Sequence, residues 1–178
     1  QREHRRRRTN WRWSALAGWI QRVPDPVVTQ DGWLSYWLGV ALMVTNPADS
    51  DRHFEHAYRS FAASLDSVGE MIACAGALRA IVFSMSVIGV ADRWIERLDE
   101  VLDRTPSPLP PGAELAVLSG AIGVSFRQPA HKRLDGWRNR AVEILKGGIS
   151  GPITSELIGF AAHVSIWSGD HESAVRVL

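Results

Sequence analysis

Cysteine occurs once in the 178 residues, as Cys74, so no disulfide can close within the chain and stability has to come from packing. A lone cysteine in the apolar segment Met71 to Leu78 reads as a small core residue and points to a reducing compartment, so the expected location is cytoplasmic. No uncharged run reaches the ~20 residues that cross a bilayer; Ala80 to Ala91 and Leu115 to Phe126 hold 12 each. A membrane span is therefore not expected. Sustained alternation of apolar and polar residues is missing as well, which removes a sheet-based enzyme fold. So are a Gly-x-x-x-x-Gly-Lys-Ser/Thr loop, a Gly-x-Ser-x-Gly elbow and a helix-turn-helix reader. Nucleotide, hydrolytic and DNA-reading chemistry thus have no support here, and neither catalytic residues nor a cofactor are expected.

Charge is nearly balanced at +1, but unevenly distributed. Residues 1–12 hold six arginines against Glu3, which leaves the remainder mildly acidic. The run Arg5 to Arg8 has no interleaved aromatics, so it reads as a solvated lead-in over residues 1–9 without direct nucleic-acid contact. No apolar core follows it, so it is not a signal peptide. The chain has no initiator Met and stops at Leu178 in mid-pattern, as expected of a piece of a longer polypeptide.

What is present is helical periodicity from Asn10 onward. Asn10 to Val23 forms a helix that Pro24-Asp25-Pro26 ends. Asp31 caps Gly32 to Val44, and the Asn46-Pro47 turn leads into a stripe of Phe54, Ala57, Tyr58, Phe61 and Leu65. Ser67-Val-Gly-Glu70 has capping-box form ahead of the long apolar stretch Met71 to Val87. From Asp92, Trp94, Ile95, Leu98, Val101 and Leu102 make the next stripe. Thr105 to Gly112 is a proline-rich extended loop, and the helices Glu114 to Arg127, Lys132 to Lys146, Glu156 to Trp167 and a last one toward Leu178 follow.

These helices pair into a repeat. Phe54-x-x-Ala57, Ile95-x-x-Leu98, Leu134-x-x-Trp137 and Val175-x-x-Leu178 fall into register at separations of 41, 39 and 41 residues. A small residue recurs in the first helices at Gly39, Gly76, Gly120 and Ala162, as close helix approach requires. A period of about 40 residues with two helices per unit is the mark of an α-solenoid. The fold class expected is all-α, a right-handed solenoid over residues 10–178, with a closed helical bundle as the alternative.

Leu38-Gly39, Phe54-x-x-Ala57, Ala162, Gly169-Asp170 and Ala174 resemble tetratricopeptide (TPR) positions. The segments Trp33 to Gly39, Asp92-Arg-Trp-Ile95, Arg127-Gln-Pro129, Trp137-Arg-Asn-Arg-Ala141 and Trp167-Ser-Gly-Asp170 resemble the superhelical sensor region of large bacterial transcriptional activators of the maltose-activator type. The resemblance implies a non-catalytic segment that receives a small-molecule inducer or a protein in its concave groove. Mapped through it, the groove-facing second position falls on Trp33, Glu70, Glu114 and Glu156, and Tyr36 and His163 follow at the fifth and ninth. Three glutamates in register are expected as an acidic ledge; first-turn acids are equally favoured by the helix dipole.

Other clusters carry less. His53 and His56, three apart, are two ligands short of a metal site and read as a solvated surface pair. Of the eight tryptophans, Trp37, Trp94, Trp137 and Trp167 fall at packing positions. Open repeat faces at both ends allow self-association. A free-standing TPR-like adaptor, or a small helical enzyme or metal protein built around His53 and His56, are the competing readings.

Overall fold

The computed structural model describes residues 13–84, 89–105, 108–148 and 151–177, and all regular structure among them is helical. In chain order the helices are α1 over residues 13–20, α2 Asp25–Gln30, α3 Gly32–Leu42, α4 Pro47–Ala63, α5 Ser67–Ser84, α6 Val90–Arg104, α7 Pro111–Gly123, α8 Leu134–Lys146, α9 Pro152–Trp167 and α10 His171–Val177. The lead-in with Arg5 to Arg8, Val87 and Leu178 lie outside the described residues.

Caps explain several boundaries. Asp31 accepts from the Leu34 N–H at 2.9 Å to start α3, and Asn46 accepts from Asp49 to start α4. The expected capping box at Ser67 is displaced by one residue. Asp66 is the cap, taking the Gly69 N–H at 2.9 Å, and Glu70 turns away to pair with Arg104. The break at Pro24 to Pro26 is shorter than its prolines suggest, because proline costs little where a first-turn N–H has no partner anyway. The chain resumes as α2 directly behind Pro24. Likewise Pro111 and Gly112 belong to α7, not to the preceding loop.

Helices α3, α5, α7 and α9 pack each on the next, while α4, α6, α8 and α10 lie against the helix before them and α4 also fills the angle with α5. Glycines set the distances. The Phe54 ring, fully buried, is slotted between Gly39 and Gly76, where an added Cβ would come within 3.0 and 2.4 Å of it. Phe61, two turns on, sits in the same way between Gly32 and Gly69. Helices α3, α4 and α5 thus interlock through two phenylalanines and two glycine pairs, each set spaced by seven residues. At Gly120 a Cβ would lie 2.7 Å from the Ala75 carbonyl oxygen, so α5 and α7 meet backbone to backbone.

Trp94, fully buried in α6, gives its indole N–H to Asp51 of α4 at 2.9 Å. Arg97 stacks over both Trp94 and Tyr58 and forks onto Glu55. Burial works to raise the Glu55 pKa, but Arg97, Arg59 and Arg93 outweigh it and hold the carboxyl below its usual range. The α7–α8 connection docks on α6: Arg127 and Gln128 bond Asp92, and His131 and Arg133 meet Asp99.

Some stripe residues depart from expectation. Trp37 and Trp167 are exposed, as is Leu65, which closes the α4–α5 turn with φ of 60°. In α10 the inward residue is Ala174, and Val175 points out. Helix α5 is long and apolar enough to cross a bilayer by length and composition, but most of it is buried among its neighbours. Cys74 lies on it with no exposed surface, and burial pushes its thiol pKa far above the ordinary range. Its modification by a thiol reagent at neutral pH is expected only as fast as the chain unfolds; labelling with Ellman's reagent in rising urea would track global unfolding.

Candidate functional site

Helix α5 carries two charged side chains in a largely apolar sequence, Glu70 in its first turn and Arg79 further along. A buried guanidinium is tolerated only when paired and hydrogen-bonded, and Arg79 has that partner on a distant helix. Its Nε donates to Glu156 Oε2 at 2.8 Å and its Nη2 to Oε1 at 2.9 Å, a two-pronged pair that joins α5 to α9 across α7. The Ser119 hydroxyl of α7 donates to the same carboxylate at 3.4 Å. One turn further along all three helices the pattern repeats in apolar form. Phe83 of α5 meets Phe160 of α9 with centroids 6.3 Å apart, and Gly123 of α7 lies beneath, where a Cβ would be 3.1 Å from the Phe160 ring.

Two rungs, one ionic and one aromatic, therefore span from α5 to α9. With only Ser119, Gly120 and Gly123 on this side, α7 lacks bulk here and its neighbours reach over it. On α3, burial raises the Tyr36 pKa, with the Arg79 charge opposing and the Glu156 charge adding. Tyr36 also anchors an aromatic apron, its ring meeting Trp33 at 6.0 Å and Trp37 at 5.1 Å. Both indoles are partly open to solvent.

Comparison with protein-family models, with curated proteins and with solved structures gives no match to the chain. The reading of the site rests on its geometry.

Of the six residues singled out from sequence, Glu156 forms the ionic rung, and Trp33 borders Tyr36 on α3. The other three are elsewhere. Glu70 is buried and pairs with Arg104 of α6, while Glu114 forks onto Arg140 of α8 at 2.7 and 3.0 Å. The register thus yields three separate intramolecular ion pairs, not a row of open carboxylates. First-turn acids on α5 and α7 face the arginines of α6 and α8, and only α9 turns its acid toward the inner helices. His163 lines a largely apolar cleft of about 360 Å³ with Phe126 and Trp167, at the far end of the array. Arg79 was absent from the sequence candidates; its signal is a single cation within an alanine- and glycine-rich helix.

No group of three metal-binding side chains occurs among the described residues. The Arg79 guanidinium and the Ser119 hydroxyl meet the Glu156 carboxylate where α5, α7 and α9 come together, while the indoles of Trp33 and Trp37 lie open to solvent beside Tyr36.

Proposed function

We propose that this chain is the ligand- or partner-binding segment of a larger bacterial transcriptional regulator, non-catalytic, cytoplasmic and built as a right-handed TPR-like solenoid. The stacking order of α3, α5, α7 and α9, with α4, α6, α8 and α10 at their backs, supports the repeat reading. Resemblance to maltose-activator-type sensor regions supports the regulatory one. The observation that carries the binding site is the Arg79–Glu156 pair, which ties units two steps apart through a bond that a guest can exchange. A guest carboxylate that takes Arg79 from Glu156 releases α9 from α5 and so alters packing between units. Ligand affinity then becomes a change in the shape passed to flanking domains.

The test is a selection of carboxylate-bearing peptides on the 178-residue chain, followed by titration against two variants. Glu156→Gln frees Arg79 and is expected to tighten the selected peptides about tenfold, whereas Arg79→Gln is expected to weaken them by a similar factor. Peptides indifferent to both changes would remove the site. A free-standing adaptor is separated from a sensor by small-angle scattering: the sensor changes its dimensions on saturation and the adaptor keeps them.

A further inference from the structure

A polar cleft of about 250 Å³ opens near the N-terminal helices, where α2 and α4 face each other beside the turn after α1. From α4 it is lined by Arg52, His53 and His56, from α2 by Asp25 and Thr29, and from the turn by Gln21, over an apolar floor that includes Leu38 of α3. His53 and His56 have ring centroids 6.4 Å apart. His53 Nδ1 is sealed from solvent and has no hydrogen-bond partner. A neutral imidazole in that position is best served by leaving Nδ1 bare, which puts the ring proton on Nε2.

That tautomer argues against a metal ion. A metal-bound histidine hands its other ring N–H to an acceptor, and His53 has none for Nδ1. It favours a guest that accepts hydrogen bonds. Arg52 shares its charge with Asp49, but its remaining N–H groups, the two imidazoles and the Gln21 amide make the lining rich in donors. Asp25, at the solvent edge, limits the negative charge that the cleft tolerates.

We propose that this cleft binds a small oxyanion group, a carboxylate or a phosphate ester, held between His53, His56 and Arg52. The site is independent of the inner-face reading, which stands or falls without it. Burial holds the His53 pKa down, and His56 and Arg52 lower it further against the opposing Asp49 and Asp25. An anion in the cleft opposes that balance, but a second ring proton on His53 would fall on the sealed Nδ1, which has no acceptor, so the ring stays neutral and donates to the guest through Nε2.

The experiment follows the imidazole nitrogen resonances of the 178-residue chain by NMR during separate titrations with acetate, inorganic phosphate and Zn²⁺, at about pH 5.5 and about pH 7.5. The expected result is a saturable 1:1 shift of His53 and His56 together with acetate or phosphate. It should hold at both pH values and be weakened about tenfold in His53→Gln. Whichever of acetate or phosphate binds more tightly names the oxyanion. If His53→Gln fails to fold, the exposed Arg52→Gln supplies the same comparison. Oxyanion shifts that never saturate, or that persist unchanged in both variants, overturn the proposal, as does saturable Zn²⁺ binding by both rings without an oxyanion response.

Discussion

Phe54→Ala is expected to destabilise the chain by about 3–5 kcal/mol, the range for removing a fully enclosed aromatic ring from a rigid core. The ring has no exposed surface, and its slot cannot collapse, because the walls are the backbones of α3 and α5 at Gly39 and Gly76. Urea unfolding would report the loss as a lower midpoint with an unchanged slope. A second substitution makes the result specific. Gly76→Ala alone puts a methyl 2.4 Å from the ring and is expected to cost about 1–3 kcal/mol. Made in the Phe54→Ala background, the same methyl enters the vacated slot, and its cost should vanish or reverse sign. Equal costs of Gly76→Ala in both backgrounds would show that Phe54 and Gly76 do not share the slot.

Glu156→Gln is the second large effect. Arg79 is buried, with about a fourteenth of its side-chain surface exposed, against about a fifth for Glu156. Removing the carboxylate leaves a buried guanidinium with half its interaction. Taking one partner from a buried pair costs about 3–5 kcal/mol; the retained amide oxygen and the partial exposure of Glu156 reduce this to about 2–4 kcal/mol. The paired change Arg79→Leu with Glu156→Leu removes both charges and should recover most of the loss, since an apolar pair of similar volume replaces the ion pair at little or no cost. Hydrogen exchange adds a readout of where the loss falls: α9 and α10 should lose protection first in Glu156→Gln, ahead of α3 to α5. A double variant no more stable than the single one would sink this account of the clasp.

Much of the helical layout was legible in the sequence, because the 3.6-residue period of the stripes Phe54, Ala57, Phe61 and Trp94, Leu98, Val101 is produced by the same burial that the structure displays. The recurrent small residue was legible too, and the slots at Gly39, Gly76 and Gly120 supply its reason. Side-chain pairing was not. Glu70 finds Arg104 and Glu114 finds Arg140 at separations of 34 and 26 residues, neither of which matches the repeat period, so no register argument could bring them together. The contact between Arg79 and Glu156 spans 77 residues and skips a helix. It depends on α7 presenting only Ser119, Gly120 and Gly123 beneath it, a property of three helices at once that no single stretch announces. Glu156 was selected as a groove residue; its pairing with Arg79 is a detail only the fold supplies.

The α5–α9 clasp also bears on how such a chain can be edited. In an array whose units touch only their nearest neighbours, a unit can be removed or duplicated and its flanks rejoin with the same interfaces. Here α7 is the floor over which α5 and α9 hold hands. Excising α7 and α8 would bring α5 directly against α9 and leave Arg79 and Glu156 with no gap to span, while inserting a copy of them would pull the pair one helix too far apart. The spacing of α5, α7 and α9 is therefore fixed by one arginine, one glutamate and the small residues between them.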